Sequence, residues 1–258
     1  MMRAKRTVMN AWRTAAMTLV ALSALSAASA LNLVQDPSFE TTQSNNTYGF
    51  PPTTWFAGQS FGSTASGDTS GTSQVWVVTS GSIDLVNGPN FGHPGGGGDQ
   101  FVELNGNNPG AIRQTVTVGV GGLYDFSFYY GGYAATASGL DAASDYVLSA
   151  RARIVDSSNN VVHSAVVSWS ITAGGFNGSW INTPYMAQVV LNAGTTYYVE
   201  FETLHFGGTD ANGNYIPDYF GPRIDGVNLS LVPEPASMVA LGAGLTGLLG
   251  LRRRRARG

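Results

Sequence analysis

Side chains able to do chemistry gather in a few short stretches of the sequence. In Asp210-Ala211-Asn212-Gly213-Asn214-Tyr215-Ile216-Pro217-Asp218, oxygen-bearing side chains fall at the first, third, fifth and ninth positions. Calcium takes about six to eight oxygen ligands from a tightly curled loop, and carboxylates and side-chain carbonyls at alternate positions converge on one ion. Asp210, Asn212, Asn214 and Asp218 are therefore the expected calcium ligands, with an ordinary Asn/Gly/Asp turn as the competing reading, since Tyr215 takes the sixth position, where such loops favour glycine. Gly58-Gln59-Ser60-Phe61-Gly62 has the G-x-S-x-G form of a serine nucleophile, with His93, His163 and His205 as available bases. That motif exposes its serine only between a strand and a helix. A Ser/Thr/Gly run follows here, so a plain loop is expected. Glu103, Glu200 and Glu202 could supply the two carboxylates of a glycosidase, but their strand positions favour solvated or structural roles. Among the tryptophans, Trp180 beside a turn and Trp55 after Pro51-Pro52 are the expected sugar-stacking rings, while most large aromatics of a sandwich go to its core. Gly242-Ala243-Gly244-Leu245-Thr246-Gly247 spells a dinucleotide fingerprint inside an apolar run, the wrong context for one.

The elements that must carry these residues are strands. Long helical periodicity is missing, and short runs rich in Val, Ile, Tyr, Phe and Trp recur between turn residues. The pattern predicts strands at Gln74–Thr79, Gln100–Leu104, Ile112–Val118, Leu123–Tyr130, Tyr146–Val155, Val161–Ile171, Ala187–Leu191, Thr196–Thr203 and Ile224–Leu231. In Tyr124-Asp125-Phe126-Ser127-Phe128 the rings fall on one face, and in Tyr197-Tyr198-Val199-Glu200-Phe201-Glu202 both acids fall on the wet one. Nine such strands predict an all-β fold, a two-sheet antiparallel jelly-roll sandwich. Gly58–Ser73, Asn87–Gly98 and Phe206–Gly221 are expected as long loops, the natural places for ligands.

The ends read differently. Arg3, Lys5, Arg6 and Arg13 precede an apolar run from Ala15 to Leu25 and then Ser26-Ala27-Ala28-Ser29-Ala30, the three-part form of a secretory signal helix over residues 1–30. Val232-Pro233-Glu234-Pro235-Ala236 is followed by an apolar stretch to Leu251 and by Arg252, Arg253, Arg254, Arg255 and Arg257. Such a positive stop leaves the preceding domain outside the inner membrane. The triplet, the short Gly/Leu/Ala span and the arginine cluster of residues 233–258 resemble the PEP-CTERM sorting signal. The resemblance implies a transient transmembrane helix and an exosortase that recognises Pro233, Glu234 and Pro235 and cuts near them.

One domain over 31–232 remains. It holds four arginines, no lysine and fifteen acidic residues, a formal net charge of −11. Nucleic-acid binding, which needs clustered cations, is disfavoured. The chain has no cysteine, so no disulfide supports the fold. Asn32-Leu33-Val34-Gln35-Asp36-Pro37-Ser38-Phe39-Glu40, Gly81-Ser82-Ile83-Asp84-Leu85-Val86, Gln100-Phe101-Val102-Glu103-Leu104, Ile112-Arg113-Gln114-Thr115-Val116 and Gly221-Pro222-Arg223-Ile224-Asp225-Gly226-Val227 follow one another in an order similar to the galactose-binding-like jelly rolls of PEP-CTERM "choice-of-anchor" proteins. That resemblance implies a non-catalytic module in contact with exopolysaccharide or cell-wall glycan at the cell surface. It also implies a structural calcium between Glu40 and Asp225 where the terminal strands meet; the plain alternative makes both surface acids. A structural matrix or adhesion protein without a specific sugar is the rival reading, and a polysaccharide hydrolase a third.

Overall fold

The computed structural model describes residues 31–40, 53–61, 75–87, 98, 100–132, 146–171, 180–204, 208–209, 215–216 and 221–232. The expected signal and transmembrane helices lie outside these residues, as do Pro233, Glu234, Pro235, Asp210, Asn212, Asn214 and Asp218. Asn32–Leu229 forms one compact unit.

Its strands are β1 (Thr53–Phe56), β2 (Ser60–Phe61), β3 (Trp76–Ser80), β4 (Ser82–Asn87), β5 (Gln100–Glu103), β6 (Ala111–Val118), β7 (Gly122–Gly132), β8 (Tyr146–Asp156), β9 (Val161–Ile171), β10 (Tyr185–Leu191), β11 (Thr195–Thr203), β12 (Gly208–Thr209), β13 (Tyr215–Ile216) and β14 (Pro222–Leu231). Two six-stranded sheets face each other, one ordered β1-β4-β5-β14-β7-β10 and the other β2-β3-β6-β11-β8-β9. We call them sheets A and B. Strands late in sequence sit between earlier ones, β14 between β5 and β7 and β11 between β6 and β8, as in a jelly roll. All nine expected strands are present, with ends shifted by at most two residues. The expected loops are less empty than their composition suggested: β2 lies within Gly58–Ser73, and β12 pairs with β13 inside Phe206–Gly221, bracketing residues 210–214.

Period-two alternation decides what meets in the middle. Phe126 and Phe128 of β7, Trp76 of β3 and Phe201 of β11 are fully buried. Phe128 meets Phe201 edge-on at 5.0 Å between centroids, joining sheet A to sheet B. At one border β9 and β10 are linked by His163 Nε2 and the Tyr185 hydroxyl at 2.9 Å. Burial holds the His163 imidazole below its ordinary pKa.

The N-terminal segment straps both sheets. Toward sheet A, Asn32 Nδ2 donates to the Val227 carbonyl at 2.9 Å, its Oδ1 accepts from the Leu229 N–H at 2.8 Å, and the Val227 N–H donates to the Pro37 carbonyl at 2.9 Å. Toward sheet B, Gln114 Nε2 donates to the Gln35 carbonyl and its Oε1 accepts from the Gln35 N–H, both at 2.7 Å, while Trp76 Nε1 donates to the Asp36 carbonyl at 3.2 Å. Phe39 completes the strap by packing on Trp76, centroids 5.3 Å apart.

Candidate functional site

The outer face of sheet A carries a polar row that crosses four strands. Thr54 of β1 opposes Asp84 of β4, Asp84 opposes Glu103 of β5, and Glu103 opposes Arg223 of β14. Antiparallel partners share a face, so these four side chains stand side by side. Ile224 must then point into the core, yet Val227 and Leu229 are buried there too. Gly226, at φ +57°, resolves the parity: a left-handed residue inserts one extra position, and Arg223 and Asp225 turn outward while the apolar residues turn in.

The row passes from half-buried Thr54 and Asp84 to buried Glu103 and Arg223. Thr54 Oγ1 donates to Asp84 Oδ1 at 2.6 Å, and burial still pushes the Asp84 carboxyl above its usual range. Glu103, 7 % exposed, accepts the Gly221 N–H at 2.8 Å. Its carboxyl is pushed up to about 8 by burial, against the pull of Arg223 and the Gly221 bond, with Asp84 adding to the rise. At neutral pH it therefore keeps its proton. Arg223 is buried with its guanidinium carbon 4.4 Å over the Phe101 ring.

Phe101 links the row to an aromatic patch with Val86, Trp180 and the partly buried Tyr129. Trp180 reaches it because its backbone bridges Gly131 at the end of β7 and the Ile181 N–H donates to the Tyr130 carbonyl. The open platform expected of Trp180 is not what the structure has: the ring is 8 % exposed and meets Phe101 edge-on at 5.5 Å. Trp55 is half-buried, opposite Ile83 in register and 5.8 Å from the Phe61 ring, so it closes the β1/β2 border of the sandwich.

Glu40 and Asp225 both lie at the seam where the N-terminal strap meets sheet A. Glu40 Oε1 accepts the Gln100 N–H at 2.6 Å, and the Glu40 carbonyl accepts Gln100 Nε2 at 3.4 Å. Gly98, at φ +112°, leaves the space in which Glu40 lies, since a Cβ there would stand 2.3 Å from the Glu40 carboxyl carbon. Asp225 is fully buried, and its Oδ1 accepts the Gly226 N–H at 2.7 Å. Gln100 is 6 % exposed and its Oε1 has no hydrogen-bond partner among the described residues. A buried orphan amide oxygen beside a carboxylate suits a hard cation. The acids alone are sparse, for no three His, Asp or Glu gather around one point among the described residues.

Among the described residues the hydrolase constellations do not assemble; His93 and His205 lie outside them. Glu103 lies on the outer face of sheet A, whereas Glu200 and Glu202 lie on the outer face of sheet B, with the core between them. Glu200 is bound by Arg113 and Arg153, and Glu202 by Arg151 and Arg153. Ser60 pairs with Val77 inside β2, not at an elbow. His163 is spent on Tyr185. These arginine partners were not anticipated from the sequence, although the i, i+2 spacing in Arg151-Ala152-Arg153 and Glu200-Phe201-Glu202 is a signal for facing charged rows.

Residues 231–255 match the PEP-CTERM protein-sorting motif. The motif marks an exported, envelope-associated protein. No curated protein matches the chain. Among solved structures, the sandwich is similar to TmCBM61 in complex with β-1,4-galactotriose, at 12 % identity and TM-score 0.40, over 78 % of this chain and 99 % of that one. It is also similar to a native family 35 carbohydrate-binding module from Clostridium thermocellum, at 16 % identity and TM-score 0.34, over 62 % and 92 % of the two chains. A carbohydrate-binding module from Cellvibrio mixtus lichenase 5A in complex with cellotriose matches at 12 % identity and TM-score 0.33, over 58 % and 87 %. The sandwich of the present chain stands on its own strand pairing.

Proposed function

We propose that this is a non-catalytic exported protein whose jelly-roll domain associates with envelope or extracellular polysaccharide. Its tail passes transiently through the inner membrane, where an exosortase recognises Pro233, Glu234 and Pro235. The observation that carries the reading is the sorting motif over residues 231–255, placed directly after a β-sandwich. The non-catalytic reading is supported by the dispersal of Glu103, Glu200, Glu202 and Ser60 and by the internal hydrogen bonding of the Asp84/Glu103 row. A structural calcium at the Glu40/Asp225 seam, with Gln100 Oε1 as a further oxygen, would tie the strap to β5 and β14. Asp210, Asn212, Asn214 and Asp218 are the second candidate set for calcium.

The test is binding of the full-length protein to a glycan array that includes galacto- and cello-oligosaccharides, with calcium and with chelator. Retention on one class of glycan supports the reading. Uniform absence of binding favours a structural matrix component without a specific sugar, a role to which the burial of Trp76 and Trp180 is suited. Release of shortened sugars would overturn the non-catalytic assignment.

A further inference from the structure

All the positive charge of residues 31–232 resides in Arg113, Arg151, Arg153 and Arg223. Arg223 is buried at 2 % exposure. The other three project from the outer face of sheet B, so every arginine of this segment that meets solvent lies on one face of a domain that is otherwise acidic.

The face is built rather than incidental. Arg113 of β6 opposes Glu200 of β11, and Glu200 opposes Arg153 of β8; one row along, Glu202 opposes Arg151. The carboxylates lie beneath and the guanidiniums above: side-chain exposure is 10 % for Glu200 and 26 % for Glu202, against 35 %, 38 % and 29 % for Arg113, Arg151 and Arg153. Arg153 bridges both acids, its Nε 3.1 Å from Glu200 and its Nη2 3.4 Å from Glu202. Arg113 is fixed a second way, its guanidinium carbon 4.4 Å over the Tyr198 ring. The acids thus use up the inner edges of the guanidiniums and lock their orientation, while Arg113 Nη1, Arg151 Nε and Nη2 and Arg153 Nη1 make no ion pair or hydrogen bond within the described residues. Arg113 and Arg153 stand on strands two spacings apart and converge on the single Glu200 carboxylate, so their guanidiniums lie closer together than their strands. Ser149 and Ser168, hydroxyls 2.9 Å apart, and exposed Val166 continue the same face.

We propose that this face binds an acidic polysaccharide, with guanidiniums receiving the carboxylates of its uronic-acid residues. The proposal rests on the polysaccharide reading above and specifies the class of glycan. A planar carboxylate matches the free edge of a guanidinium through two parallel N–H bonds, and preorganised arginines lose little entropy on binding. The acidic remainder of the domain repels the same polymer, so a polyanion is accepted at this face alone.

The experiment compares full-length wild type with Arg113→Gln/Arg151→Gln on immobilised polygalacturonate, carboxyl-reduced polygalacturonate and a neutral galactan, with thermal melts and sizing of each protein. Arg153, which bridges both acids, is left intact so that the fold is retained. The expected result is binding to polygalacturonate that falls about tenfold between roughly 50 and 200 mM salt. Binding should be lost on carboxyl reduction and fall at least about tenfold in the double variant, with an unchanged melt. Should the double variant melt early, the salt and carboxyl-reduction arms decide on wild type alone. Binding to galactan unaffected by the substitutions, without binding to polygalacturonate, overturns this inference and leaves the polysaccharide reading standing. Binding to none of the three overturns this inference, and the glycan array above then decides the polysaccharide reading by itself. Loss of a dimer in the double variant without any glycan binding assigns the face to a second copy of the chain and overturns the proposal.

Discussion

Glu103→Gln isolates the energetics of the buried row on sheet A. In the unfolded chain the Glu103 carboxyl ionises near its ordinary 4.5, whereas in the folded domain burial holds the proton until about 8. Its folded-state pKa is raised, so the stability it contributes is complete below 4.5, declines as pH rises, and is lost above about 8. The span from 4.5 to about 8, at about 1.4 kcal/mol per pH unit, amounts to roughly 5 kcal/mol. Glutamine keeps the acceptor that receives the Gly221 N–H and removes the titration. Urea unfolding of full-length wild type and Glu103→Gln at pH values spanning this window should give curves that converge at the acid end and separate steadily toward the alkaline end, the variant becoming the more stable. Other titrating groups are common to both proteins and cancel in the difference. A difference in stability independent of pH refutes the reasoning: Glu103 would then ionise alike in the folded and unfolded chain.

Three further perturbations test the frame. Asn32→Ala removes one donor and two accepted bonds to Val227, Val34 and Leu229, and should cost about 2–3 kcal/mol at about 1 kcal/mol per bond in chemical denaturation. Gly81→Ala puts a Cβ 1.8 Å from the Pro109 carbonyl oxygen at φ +55°, so the turn between β3 and β4 cannot close and the protein should be recovered largely unfolded, as read by near-UV circular dichroism. Calcium in excess should raise the melting midpoint of wild type, and Glu40→Gln with Gln100→Leu should abolish most of the rise if the seam is the site; a rise that survives both substitutions points instead to the 210–218 loop.

Much of the sandwich is legible in the sequence because burial on one face writes itself as alternation. Tyr124, Phe126 and Phe128 stand in register with the core, and the long strands β8 and β9 carry the same signal over eleven residues each. β1, β2 and the β12/β13 pair leave no such trace, for two to four residues are too few to show a period. The burial of Trp180 is hidden from the sequence for a related reason: Gly178-Ser179-Trp180 reads as the edge of a turn, and only the bridge to Gly131 turns the ring onto Phe101. Glu200 sits on the outer face as alternation demands, but its burial depends on arginines from two other strands, a fact of register. Gly226 hides the parity of its strand, since a single left-handed residue exchanges inside for outside.

The final strand is also the one that continues into the sorting motif. β14 runs through the middle of sheet A, flanked by β5 and β7 and stitched to the strap at Val227 and Leu229. Tension applied to the tail therefore enters the domain along an interior strand, and extracting it means shearing two ladders and the strap together instead of peeling an edge bond by bond. A load on this end of the sandwich is thus met by the strength of its centre.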